Sequence, residues 1–139
     1  MPKYYVDSNI FFYAKIMDKK YGPSCSAIVR SIASHQLGAT ISSLILLEVA
    51  NALRKYGRPR DVAPEVRAIS TLGLETFQMD SSDVREAAEI FDRVAINPYD
   101  CLHAAIMKRY DLREIISADK EFDKLQWLKR TDPQQLVTP

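Results

Sequence analysis

Charge of one sign is what this chain of 139 residues most plainly lacks. Its 19 Lys and Arg stand against 18 Asp and Glu, a net charge of +1. No global field draws in nucleic acid, so any such site must come from local placement of charge. Cysteine is scarce. Cys25 and Cys101 are far apart, show no metal-binding spacing and sit in helical patterns, as small buried hydrophobes do. The only histidines are His35 and His103. Both are expected on the surface or on a helix face, which disfavours zinc. No apolar run approaches the roughly 18 residues of a membrane span. Asp7 breaks the only apolar stretch near the N-terminus, so no signal peptide is expected. No repeat or low-complexity tract is present. A soluble, cytoplasmic protein of one domain over residues 1–139 is expected.

Short apolar runs alternate with long periodic segments. Lys3–Asp7 reads as a buried strand, and Ser8-Asn9 as caps of a short helix through Ala14. Gly22-Pro23-Ser24 opens a helix whose Cys25, Ile28, Val29, Ile32 and Ala33 share a face at the 3.6-residue period. Leu37–Ile41 is a strand. Ser42-Ser43 cap a helix that runs to Tyr56 and stops at Gly57. A break at Pro59–Pro64 leads to a helix over Ala63–Leu72 and a strand over Glu75–Met79. Ser81-Ser82-Asp83 opens an amphipathic helix with Val84, Ala87, Ala88, Phe91, Val94 and Ala95 aligned. Asn97-Pro98 opens the next, with proline at the tolerated first position. A strand at Arg113–Ala118, a helical turn at Asp119–Leu125, a strand at Trp127–Lys129 and an irregular tail from Asp132 complete the chain. This alternation predicts an α/β sandwich around a mostly parallel sheet. Ligands of such sheets bind beyond the carboxyl ends of the strands, where Asp7 and Asp119 stand.

Four carboxylates fall where an ordinary fold has little use for them. Asp7 ends the strand Tyr4-Tyr5-Val6, and Glu48 interrupts the apolar helix around Leu44-Ile45-Leu46-Leu47. Asp100 follows Asn97-Pro98-Tyr99, and Asp119 ends Ile115-Ile116-Ser117-Ala118. Each also has a plainer reading. Asp7 can simply turn strand into helix. Glu48 can lie solvated at the edge of the apolar stripe. Asp100 can serve the helix dipole in the first turn, and Asp119 can cap the turn after it. Asp123 shares a face with Asp119 four residues earlier, where like charges repel unless something sits between them. Buried carboxylates need partners, and none of the four has an obvious Lys or Arg on its own element. Convergence of all four at one sheet edge therefore implies a hard cation with oxygen ligands, Mg²⁺ or Mn²⁺. One or two such ions activate water, clamp a phosphate oxygen and stabilise a leaving oxygen, which suits phosphodiester hydrolysis.

The same segments resemble a known family. Tyr4-Tyr5-Val6-Asp7-Ser8-Asn9 is similar to the opening motif of PIN domains. Ser43–Ala50, with Glu48, resembles their glutamate helix. Tyr99-Asp100-Cys101-Leu102-His103-Ala104-Ala105 resembles their aspartate-led helix start, and Ile116–Asp123 their last acidic motif. The order matches over nearly the whole chain, and the compact size resembles the VapC-type toxins of toxin–antitoxin pairs. The resemblance implies a PIN-like three-layer α/β sandwich with a five-stranded parallel sheet in the order 3-2-1-4-5. It implies Mg²⁺- or Mn²⁺-dependent cleavage of RNA by a homodimer that pairs with a small antitoxin protein. Carried over, Asp7, Glu48, Asp100 and Asp119 form the catalytic, metal-holding quartet, Asp123 joins the metal ligands, and Ser8, Asn9 and Ser117 support them. The helices around Ala39–Leu72 would supply dimer contacts and hold the antitoxin. Lys15, Lys19, Lys20, Arg54, Lys55, Arg58, Arg60, Lys108 and Arg109 are candidate phosphate contacts or, more plainly, solvated helix faces.

Two other readings compete. A dehalogenase-type phosphatase wants a second Asp two residues after the first, where Asn9 stands, and a receiver wants a phospho-accepting Asp where serines follow Ile41. A PIN-fold scaffold that binds a partner without cutting RNA retains the fold but makes no use of a complete quartet.

Overall fold

Five short strands form one parallel sheet in the order β3-β2-β1-β4-β5, as the family resemblance implies. The computed structural model describes residues 3–136 and 138. The strands are β1 (Lys3–Val6), β2 (Gly38–Ser42), β3 (Glu75–Phe77), β4 (Glu114–Ile116) and β5 (Lys129–Thr131). Between them lie α1 (Ser8–Ile16), α2 (Gly22–Ala33), α3 (Ser43–Lys55), α4 (Val62–Ser70), α5 (Ser81–Arg93) and α6 (Pro98–Arg109). Single 3₁₀ turns fill Pro59–Asp61 and Lys120–Lys124. No helix among the described residues is long and apolar enough to cross a membrane.

Chain direction sets the layers. From β1 the chain steps outward to β2 and then β3, and right-handed crossovers place α1 to α4 on one face. It then returns past β1 to β4, which places α5 and α6 on the other face. The contacts agree: α1 packs on α2 and α3, α3 on α4, and α5 on α6. Both faces of the central strands are thus covered, and Tyr5, Val6, Ile115 and Ile116 are fully buried. The reversal between β1 and β4 makes their carboxyl ends the switch point where a crevice opens.

Local chemistry accounts for most boundaries. Gly57, with φ of 82°, closes α3 in the left-handed region. Asn97 caps α6, with Pro98 at its first position. α5 begins at Ser81, as the sequence pattern suggests, with Asp80 at its N-cap in a reciprocal capping box with Asp83. The helix expected over Ala63–Leu72 is Val62–Ser70, preceded by a 3₁₀ turn. The last strand is displaced from Trp127–Lys129 to Lys129–Thr131, where it pairs with Glu114–Ile116. Of the tail, Val137 and Pro139 lie outside the described residues, while Asp132 to Gln135 forms a turn. Cys25 and Cys101 are buried free thiols.

Candidate active site

The register of the central strands decides what meets at the sheet edge. Tyr5 pairs with Ile115 and Val6 with Ile116, so Asp7 and Ser117 come next, side by side on one face. The Asp7 N–H donates to the Ile116 carbonyl at 3.0 Å. Ser117 Oγ donates to Asp7 Oδ2 at 2.6 Å. It accepts from Asn9 Nδ2 at 3.1 Å and from the Asp119 N–H at 3.0 Å. Asn9 Nδ2 also donates to Asp7 Oδ2 at 3.1 Å, and Asn9 Oδ1 accepts from the Ala118 N–H at 3.2 Å. Asn9 and Ser117 thus lock the end of β1 to the end of β4. Ser8 acts mainly through its N–H, 2.8 Å from Asp7 Oδ1. Asp7 itself occupies the N-cap position of α1, ahead of the Ser8-Asn9 pair suggested by residue type, because its backbone stays extended with the strand.

Glu48 reaches the same edge from the second turn of α3, Asp100 from the first turn of α6, and Asp119 from just beyond β4. Asp119 Oδ1 accepts from the Glu121 N–H at 3.0 Å, so it caps the 3₁₀ turn as well. The cap of α6 is made by Asn97, whose Oδ1 accepts from the Tyr99 N–H at 2.8 Å. Asp100 is therefore free of that duty. Its pKa is pushed up to about 7, first by burial and then by the charges of Asp7 and Asp119. Burial also raises Asp7, against the opposing pull of His103 and Ser117. Among the described residues no Lys or Arg pairs with Asp7, Glu48, Asp100 or Asp119.

Asp123, expected as a metal ligand, has both oxygens held by Arg130, at 2.9 and 3.1 Å. Arg130 lies on β5 and also donates to the Ser117 carbonyl at 2.9 Å, so Asp123 anchors an arginine that braces the Ser117 loop. His103, expected on a surface or helix face, is fully buried. Its Nε2 lies 2.7 Å from Glu48 Oε1, and single donor atoms of Asp7, Glu48 and His103 all lie within 4.8 Å of one another. The signal was its setting in Cys101-Leu102-His103-Ala104-Ala105, a helix stretch buried on every side. His35 is exposed, in the left-handed region between α2 and β2.

The candidate phosphate contacts divide. Lys108 pairs with Glu86 and Arg109 with Asp80 and Asp83, so both tie α6 to α5 and its cap. Arg58 pairs with Asp61, and Lys15 with Glu65. Lys55 shares with Glu48, Asn51 and Tyr99 a cleft of about 600 Å³. Lys20 lies 5.0 Å from the Tyr21 ring centre.

Known proteins are similar to this chain in sequence or fold. The PIN domain family model matches residues 4–128. The VapC ribonuclease Mb1869c of Mycobacterium bovis is 25% identical over 126 residues, covering 90% of this chain and 96% of that protein. The crystal structure of Mycobacterium tuberculosis VapC20, described as a sarcin-ricin loop cleaving toxin, superposes with a TM-score of 0.72 at 14% identity, over 86% of this chain and 92% of that one. DNA-bound VapBC from Salmonella typhimurium gives a TM-score of 0.70 at 20% identity, over 96% and 99%. At such identities the two structures speak to the fold alone.

Proposed function

The chain belongs to the PIN-domain family, and we propose that it is a divalent-metal-dependent endoribonuclease, the toxin of a toxin–antitoxin pair. The observation that carries this reading is the gathering of Asp7, Glu48, Asp100 and Asp119 at the switch point, with no Lys or Arg among the described residues paired to them. An all-carboxylate donor set suits Mg²⁺ or Mn²⁺, and Asp7, Glu48, Asp100 and Asp119 would hold one or two such ions. A bound ion supplies an activated water and a clamp on phosphate oxygens. The chain's own residues prepare the ground. Ser117 and Asn9 hold Asp7 Oδ2, and the Ser8 N–H holds Oδ1. Asp100, its pKa pushed up to about 7, would give up its remaining proton to a bound cation. Arg130 steadies the Ser117 loop through Asp123. Lys55 is the phosphate contact best placed beside Glu48.

Relatives named as VapC ribonucleases and neighbours solved as VapBC complexes support RNA as substrate and a small antitoxin as partner. We place the protein in the cytoplasm as a single domain that assembles as a homodimer. The test is cleavage of single-stranded RNA by purified protein with chelator, Mg²⁺ or Mn²⁺. Cleavage should require the metal and vanish in Asp7→Asn. Equal cleavage in chelator would overturn the reading, and a metal-loaded protein that leaves RNA intact would favour the scaffold alternative.

A further inference from the structure

Behind the acids runs a chain of hydrogen bonds that metal binding alone does not explain. Ser42 Oγ lies 2.7 Å from the Tyr5 hydroxyl. That hydroxyl lies 2.7 Å from His103 Nδ1, and His103 Nε2 lies 2.7 Å from Glu48 Oε1. Ser42, Tyr5 and His103 are all completely buried. The chain links β2, β1, α6 and α3, and it ends on the one acid of the quartet that sits on a helix of the opposite layer. The register of β1 with β2, Tyr5 against Thr40, puts Ser42 on Tyr5's face of the sheet.

The direction of these bonds follows from valence. An ionised carboxylate only accepts, so Nε2 must carry a proton. When the ring is neutral, Nδ1 is bare and accepts from Tyr5, and Tyr5 accepts from Ser42. When the ring is charged, Nδ1 donates to Tyr5, which turns its own proton toward Ser42. A hydroxyl can donate or accept, so the pair adapts to both states. In either state Nε2–H stays on Glu48. A second observation points the same way. Ser42 occupies the N-cap position of α3 yet makes no side-chain cap bond, because its hydroxyl is turned to Tyr5.

We propose that His103 is a positioning residue that holds the Glu48 carboxylate at the acidic centre, and that Tyr5 and Ser42 keep its Nε2–H on Glu48 whichever charge the ring carries. The role of Glu48 in a metal site rests on the function proposed above. His103 is not itself a ligand in this scheme. It stands within reach, but a protonated ring nitrogen has no lone pair for a metal, and Nδ1 faces away to Tyr5. One Glu48 oxygen is tethered and the other is left for the cation.

Three measurements test this. In ¹⁵N spectra of the metal-free protein, His103 Nε2 should carry a proton in both the neutral and the charged ring. A neutral ring protonated on Nδ1 would overturn the proposal. In Mn²⁺ titrations followed by calorimetry, His103→Leu fills the space without an N–H and should weaken binding by about 10–100-fold, the usual cost of losing an outer hydrogen-bond partner. His103→Gln offers an N–H to Glu48 and should recover most of that loss. A purely structural His103 would leave the affinity of folded His103→Leu unchanged, and that result sinks the proposal. Should His103→Leu fail to fold, the spectra of the unaltered protein decide. If the unaltered protein bound no Mn²⁺, the metal reading would fall, while the spectra would still judge the tether.

Discussion

Asp100 keeps its proton to about pH 7 because it is partly buried and faces Asp7 and Asp119. Asp7 is shifted upward too, chiefly by burial. A carboxyl with a raised folded value binds its proton more tightly in the native chain than in the unfolded one. Between about pH 4 and about pH 7 the native form therefore holds more protons, and stability falls as pH rises. His103 adds to the same trend. Burial lowers its pKa, but Glu48, Asp7 and Asp100 together hold it above the ordinary value. Its contribution is present in mild acid and fades as pH climbs through that raised value. In chelator the protein is thus expected to melt higher at about pH 5 than at about pH 8. Asp100→Asn should flatten this profile, and an unchanged slope would remove Asp100 as its cause. Mn²⁺ should stabilise more as pH rises, since binding displaces the retained protons. Asp7→Asn should cost RNA cleavage more than the ~10–100-fold typical of an outer hydrogen-bond partner, with the fold retained by circular dichroism. Asp7 and Asp119 were legible as strand ends and Glu48 as a break in an apolar helix, while Asp100 stood out by its place after Asn97-Pro98-Tyr99. His103 was not, because it was judged by residue type. The three-residue step from Asp100 to His103 places both on one helix face, and that spacing adds to the signal of its apolar setting. Arg130 was hidden for another reason: it comes from a different element, which sequence spacing cannot bring close to Asp123.

Helix ends carry their own chemistry, and the clearest case is α5. Asp80 accepts from the Ser82 and Asp83 N–H groups, and Asp83 returns a bond to the Asp80 N–H. Arg109 at the end of α6 pairs with both acids, so one cap also joins two helices. Asp80→Ala should lower Tm by roughly 3 °C and leave RNA cleavage per folded molecule unchanged. A loss of cleavage without a loss of stability would contradict this structural role. Caps and glycines made the helices readable within a residue or two: Gly57, Asn97-Pro98 and Gly22-Pro23 all stand where expected. The strands were harder. β5 reads Lys129-Arg130-Thr131, with no apolar run of its own. Its place is set by pairing with β4, and strand propensity of that kind depends on neighbours more than on residue type.

Across the whole molecule, apolar surface is left open on one flank. Val84 and Phe91 of α5 are 54% and 44% exposed, Tyr99 of α6 is 61% and Leu47 of α3 is 64%. The aligned residues of α5 thus form a stripe wider than the face that α5 buries. Dimer contacts were expected from the helices around Ala39–Leu72, where Leu47 and Tyr56 are the chief exposed apolar groups. The proposed homodimer is expected to join these to the α5–α6 flank. Light scattering at micromolar concentration should give the mass of two chains, and Phe91→Glu should shift it toward one while leaving the circular dichroism spectrum unchanged. A Phe91→Glu dimer of undiminished strength would place the contact elsewhere. The sheet order was available only through the family resemblance, since periodicity tells which segments are strands and not which are neighbours. That order has a temporal side. The bond from Ser117 to Asp7 spans 110 positions of the chain, and Asp119 lies further on. A ribosome delivers Asp7 long before it delivers Ser117 and Asp119. Until β4 has emerged and docked beside β1 the proposed centre is incomplete, and the unfinished polypeptide is expected to spare the message that encodes it. A chain ended at Arg113 is expected to spare RNA at any concentration, however much metal is supplied.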